Sequence, residues 1–387
     1  MPIRFSGSAR PRKLKSPDPI NMPSVRENIV PRIKAEVAYY KDNGSLPSVE
    51  LFWQTSGTYF THPIGMSNSG IEIFNGYLYV NNAQRSLIET FRLSDQAAIA
   101  GLGQNNNNQS DIYVTTNRVI YGATQTGANS VGLLVSVPNN TSTGTLPNNK
   151  TVWEAAGGSY TYDGRSIAVV ESENIAFTGG EGYTSTGTRR GAFWARNLTS
   201  GAELTSYQWT FLGDSSPTRT SSGMPGELVN GSGIDWRMSR GMSTDGTRLA
   251  VTVGGLPGAS ESIARAGVIS VWDTSATGAV EIQHIANPTP EGVANVGTIE
   301  CVQTVNDKLF MFLLAGGPDV SYAANRVSVA EYVWNGSQYV HNDIWHTLPP
   351  TITPSSSHVL HNIKMYNETE MFIPNASGVT RVIRSPE

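Results

Sequence analysis

Three stretches of this chain repeat one order of events. An apolar run closes on a Gly pair, a polar excursion follows, and a second β-prone run carries a Trp. The first runs are residues 175–180, 249–255 and 309–317, and their partners are 191–194, 267–273 and 327–334. In the last two units the Trp stands at the same distance from the Gly pair, Gly255 to Trp272 and Gly317 to Trp334. A repeat of this kind means that one supersecondary unit is built several times. Such a unit cannot bury its own faces, so the copies must stack.

A turn signal precedes each Gly pair and recurs beyond the three stretches. Its residues are Asn75-Gly76, Thr116-Asn117, Glu173-Asn174, Asp245-Gly246, Asn306-Asp307 and Asn367-Glu368. Asn-Gly and Asp-Gly suit two-residue hairpins because both central residues need positive φ. Each unit reads as strand, turn, strand, longer loop, strand, and often a fourth strand, as at residues 207–211 and 280–285. The second strands 175–177, 249–253 and 309–314 are expected to be central and buried.

Four-stranded antiparallel units that must hide two faces and protect their edges pack radially. The expected fold is therefore all-β: a β-propeller of about six four-stranded blades over residues 49–387, with seven left open. The last unit offers strands at 359–366, 370–373 and 378–383 but lacks an outer one. Residues 49–55, β-prone and ahead of the first unit, are expected to fill that place and close the ring.

Charged residues make up only 15% of the chain, and Gly numbers 39. This favours short strands and turns over helix. The net charge of −4 is unevenly spread: residues 1–48 hold nine cations and four anions, so a basic arm of +5 precedes a body of −9. Pro11, Pro17, Pro19, Pro23 and Pro31 exclude a long helix there. Residues 1–48 are thus expected to form an extended arm. Its basic residues Arg10, Arg12, Lys13 and Lys15 lack interleaved aromatics, so nucleic acid is not the expected partner. Docking on another protein is expected, with Ile20, Met22, Val25, Ile29 and Ile33 as apolar anchors. The first fifteen residues carry no apolar run of a signal peptide, and no stretch approaches the ~20 apolar residues of a membrane span. Membrane insertion is not expected. Cys301, the lone cysteine, reads as a core thiol.

Signals for chemistry are sparse. His358 and His361, like His341 and His346, are spaced so that a regular strand turns them to opposite faces. Residues 243–247 place Asp directly before Gly, which fails the sialidase Asp-box spacing and fits a hairpin. Arg189-Arg190, with Tyr183 nearby, reads as a solvated Gly/Thr-rich loop, and Gly101-Leu102-Gly103 as a polar loop between blades. No phosphate-binding loop and no nucleophile–base set stands out. The expectation is no catalytic residue, no cofactor and no metal site.

Residues 243–250 (Ser-Thr-Asp-Gly-Thr-Arg-Leu-Ala) followed by 268–274 (Val-Ile-Ser-Val-Trp-Asp-Thr) resemble a WD40 blade. The Gly-His pair of that family is absent, and Trp194 and Trp334 are not followed by Asp. The resemblance implies a rigid interaction platform. In general style the chain also resembles bacteriophage structural proteins, some of whose tail nozzles and adhesins contain propellers. That resemblance implies a non-enzymatic virion protein, assembled in the host cytoplasm and tail-associated. Its expected partners are other virion proteins, copies of itself in an oligomeric ring, and a host-surface receptor. A cytosolic WD40-like scaffold and a carbohydrate-active propeller are the alternatives.

Overall fold

The computed structural model describes residues 49–61, 69–82, 87–103, 111–124, 132–138, 143–146, 151–154, 166–183, 189–207, 209–210, 237–254, 268–275, 277–289, 298–314, 327–348, 362–375 and 378–384. Apart from one 3-10 turn at Thr205–Tyr207, the elements are strands. Strand β1 is Val49–Thr61. The first sheet follows as β2 (Gly70–Phe74), β3 (Tyr77–Asn82), β4 (Leu87–Arg92) and β5 (Ala98–Gly103). The second holds β6 (Ile112–Val114), β7 (Arg118–Thr124), β8 (Gly132–Pro138) and β9 (Thr151–Glu154). The third holds β10 (Ser166–Val170), β11 (Ile175–Tyr183), β12 (Arg189–Asn197) and β13 (Trp209–Thr210). The fourth holds β14 (Arg237–Thr244), β15 (Arg248–Gly254), β16 (Val268–Asp273) and β17 (Val280–Ala286). In all four sheets the strand order follows the chain.

The remaining strands are β18 (Thr298–Val305), β19 (Lys308–Leu314), β20 (Val327–Trp334), β21 (Tyr339–Thr347), β22 (Lys364–Asn367), β23 (Glu370–Asn375) and β24 (Gly378–Arg384). They form one eight-stranded sheet in the order β18-β19-β20-β21-β1-β24-β23-β22. The expectation of about six separate blades is corrected here to five hydrogen-bonded sheets. The cause is β1, which is bonded on both sides. Trp53 to Thr61 run antiparallel to β24, as the closure argument requires. Val49 to Phe52 also pair in parallel with residues 344–347 of β21, which fuses two four-stranded halves.

Apolar clusters follow one another around the ring. Tyr79, Ile112 and Tyr121 join the first sheet to the second, and Ile120, Ile167 and Ala176 join the second to the third. Phe177, Phe193, Met242 and Trp272 join the third to the fourth, with Phe193 and Trp272 edge to face at 5.2 Å. Ile269, Leu309 and Trp345 carry the core into the eight-stranded sheet. Cys301, Phe312, Ile363 and Val382 pack its halves together. Phe60, Leu78 and Phe372 return the core to the first sheet. The chain is an all-β propeller: each sheet buries its faces against the next, and the last packs on the first.

The hairpins explain the registers. Asn75 (φ 53°) and Gly76 (φ 82°) make the two-residue turn that closes Phe74 on Tyr77. At Asp245 the turn is longer than a two-residue hairpin. The Asp245 carboxylate accepts the backbone N–H of Thr247 and Arg248 at 3.0 and 2.9 Å, and Thr244 pairs with Leu249. Glu173-Asn174 is likewise the second half of a four-residue turn, since Val170 pairs with Ile175. Asn367 ends β22, so the last turn falls on Glu368 and Thr369, with the Asn367 side chain accepting the Thr369 N–H at 2.8 Å.

The fourth strand expected at residues 207–211 is present as β13, Trp209–Thr210, after the 3-10 turn. Two further expectations change. Arg189 and Arg190 open strand β12, paired to Tyr183 and Gly182, and are not in a loop. Gly101 to Gly103 belong to β5, whose pairing with β4 leaves no loop there. In both cases ladder hydrogen bonds override the turn-like composition.

Candidate functional site

The first strand of each sheet, and of each half of the eight-stranded one, lies innermost. Strands β2, β6, β10, β14, β18 and β22 converge on one cavity of about 130 Å³. Ile71, Ile167, Met242, Ile363 and Met365 supply apolar wall, and Asp111, Tyr113, Thr304, Asn362 and Lys364 supply polar wall. Close approach of the strands is enforced at Gly241. A Cβ there would stand 3.0 Å from the Val302 N and 3.1 Å from the Cys301 Cα.

Side chains around the cavity tie neighbouring sheets together. The Asp111 carboxylate accepts the N–H of Ile112 at 2.8 Å and of Ile167, on the next sheet, at 3.2 Å. The Ser243 hydroxyl accepts the Thr304 N–H at 2.9 Å, and the Gln303 carbonyl accepts the Met365 N–H at 3.3 Å. Lys364 Nζ lies 2.7 Å from Glu72 Oε2, joining the last inner strand to the first. The same ammonium sits 5.4 Å from the Tyr113 ring centroid.

The electrostatics follow from burial beside mixed charge. Desolvation alone would lower Lys364, but the Glu72 and Asp111 carboxylates outweigh it and hold the ammonium above its usual value. Burial pushes Glu72 and Asp111 up, while Lys364 and backbone N–H donors pull them back. Burial likewise raises the Tyr113 phenol. A lysine kept protonated is no nucleophile at neutral pH. An aspartate whose two oxygens already accept backbone N–H groups is poorly placed as a general base. The arrangement is built for binding and bracing.

Two other polar clusters lie in the sheets. Glu331, 1% exposed, accepts from Lys308 at 3.1 Å, Asn342 at 2.9 Å and His346 at 2.8 Å. Burial opposes its charge, yet His346 and Lys308 hold the carboxyl down at about 2. Burial lowers His346, and Glu331 only partly compensates, so the ring is neutral and donates Nε2–H to Glu331. In the second cluster Ser270 and His284 both meet the same oxygen of Glu281. A nucleophilic triad needs the imidazole between hydroxyl and carboxylate. Here the carboxylate is central, so the serine is not activated.

Of the histidines weighed as ligands, His346 serves Glu331, while His341 packs its ring against Tyr332 and Trp345 at 5.1 and 5.3 Å. His358 and His361 lie outside the described residues, as does the whole arm with Arg10, Arg12, Lys13, Lys15, Ile20, Met22, Val25, Ile29 and Ile33. Among the described residues, no three or more His, Cys, Asp or Glu side chains form a metal-binding group. No helix there is long and apolar enough to cross a membrane. Sequence reasoning missed Glu72, Asp111 and Lys364. Their signal is a charge set beside apolar residues at an inner strand, as in Ile71-Glu72-Ile73 and Ile363-Lys364-Met365.

No protein-family model matches the chain, and no curated protein matches it in sequence. In structure it is similar to a luciferin-regenerating enzyme, at 9% identity over 86% of this chain and 94% of that one, with a TM-score of 0.47. It is similar to regucalcin, a calcium-binding protein from Agrobacterium tumefaciens, at 8% identity over 87% and 95% of the two chains, with a TM-score of 0.42. It is also similar to the WD40 domain of Toxoplasma gondii coronin, at 9% identity over 81% and 67%, with a TM-score of 0.41. These proteins differ in what they do. The propeller assignment rests on the sheet order and the closed circuit of apolar clusters.

Proposed function

We propose that the chain is a non-catalytic ring that works as a rigid interaction platform in a bacteriophage particle. Its place is tail-associated, as a nozzle, knob or adhesin, and residues 1–48 are its docking element. One observation carries the non-catalytic part of this reading. Among the described residues, the buried charges are engaged in joining strands and sheets: Asp111 with Ile167, Lys364 with Glu72, Glu331 with Lys308 and His346. Groups committed in this way stiffen a scaffold and are poor proton shuttles. The particle setting rests on the sequence: a basic, Pro-rich arm ahead of an acidic ring. In that setting the partners are other virion proteins, further copies of the chain, and a receptor on the host surface.

The test is location. Antibody raised against the ring should label purified particles at the tail, and the chain should co-sediment with them. Removal of residues 1–44 should leave a folded ring that no longer enters particles. A chain found only in the cell-soluble fraction, bound to a cellular protein, would replace this reading with a WD40-like scaffold.

A further inference from the structure

We infer that the inner-strand cavity is a binding site for one neutral, polyhydroxylated ring of about monosaccharide size. Unspent polar groups converge there. Asn362 is 8% exposed and lines the cavity, and its side chain makes no hydrogen bond with any described residue. Tyr113 lines it too, and its hydroxyl makes none either. Lys364 spends one N–H on Glu72 and has two more. An amide and a phenol each donate and accept, whereas an ammonium only donates. A ligand that satisfies all three must itself offer donors and acceptors at several points, which is what vicinal hydroxyls do.

Charge then selects against ionic ligands. The wall carries one cation, Lys364, and one anion, Asp111, with Glu72 paired to the lysine. A ligand ammonium drawn to Asp111 also meets Lys364, and a ligand carboxylate drawn to Lys364 also meets Asp111 and Glu72. Each ionic ligand loses to the like charge what it gains from the opposite one, and is still stripped of its own water. Size and shape complete the case. The cavity, at about 130 Å³, is small beside the pockets of drug-sized ligands, so it takes a single ring and not a chain. Ile71, Ile167 and Met242 offer an apolar surface for the C–H face of such a ring. The site is a property of the propeller and stands whether or not the chain is carried on a particle.

The experiment uses the full chain, with ligand-observed NMR and calorimetry. The probes are glucose, galactose, mannose and myo-inositol, with glucuronate and glucosamine as charged counterparts. At least one neutral probe should bind saturably in the millimolar range, as expected for so few contacting atoms. The charged counterparts should bind at least about ten-fold more weakly. Tyr113→Phe and Asn362→Ala should each weaken binding by about ten-fold with an unchanged melting temperature. Should Asn362→Ala fail to fold, Tyr113→Phe decides, because it removes one oxygen that bonds to no described residue. The proposal is overturned if no neutral probe binds saturably, or if a charged counterpart binds equally well. It is overturned too if the folded variants bind like the parent, which would put the sugar elsewhere on the surface.

Discussion

Replacing Glu331 by Gln removes a buried charge without removing volume. The carboxylate bridges three strands, taking Lys308 from β19, and Asn342 and His346 from β21, onto β20. Its carboxyl falls from 4.5 to about 2 in the folded ring. At about 1.4 kcal/mol per pH unit, that fall is worth about 3 kcal/mol of stability. Because the folded value is depressed, this stability is present above the unfolded value of 4.5. It is lost as pH falls from there towards 2. Urea unfolding of parent and Glu331→Gln should therefore differ by about 3 kcal/mol at neutral pH, or roughly 4 °C in melting temperature for a chain of this length. The gap should shrink as pH drops below about 4.5, since acid removes from the parent what the substitution removes from the variant. His346, whose value is also depressed, adds an acid-side loss that begins higher, below 6.5, and is common to both proteins in direction. A gap that is absent at neutral pH, or constant across the acid range, refutes this account of the cluster.

Other outcomes follow from burial and closure. Leu249→Asp and Leu309→Asp each place a carboxylate where the leucine is 0% exposed, and neither protein should fold to a soluble, cooperatively melting form. Deleting residues 1–44 should leave the melting temperature within a degree or two, whereas deleting 1–61 strips β1 from both β21 and β24 and should unfold the ring; equal melts would sink the closure. Cys301 is fully buried, and burial pushes its thiol up to about 12, so a disulfide reagent should modify it only in denaturant.

The repeat made the ring legible because Gly pairs, Trp residues and turn residues are local signals that recur. Strands β11, β15 and β19 are buried second strands of their units, as the Gly-Gly pattern indicated. Closure by β1 was legible too, from the outer strand missing in the last unit. Its parallel pairing with β21 was not, because no local pattern says that a strand will be bonded on both sides. The cavity was equally hidden. Lys364 meets Glu72 only because ring closure brings the last inner strand beside the first, across nearly the whole described chain. Asp111 is distant in sequence from Ile167, whose N–H it accepts. Composition misled where strands run through Gly- and Arg-rich segments, as at Arg189 and Gly101.

Strand β1 is made first and used last. As the chain leaves the ribosome, its slot between β21 and β24 does not exist until β24, the last described strand, has emerged. Until then the polypeptide carries the unpaired edge of β21, joined by that of β24 when it is made, and a free strand that matches both. The slot is blind to which copy supplies that strand, since backbone ladders carry the pairing. At high local concentration, β1 of one chain is as good a match for its neighbour's slot as for its own, and an exchange links two complete rings without creating any new contact surface. Were strands exchanged in this way, the ratio of linked to single rings would be set during synthesis and held by closure; it should then respond to expression rate and to dilution before folding, and not to dilution afterwards.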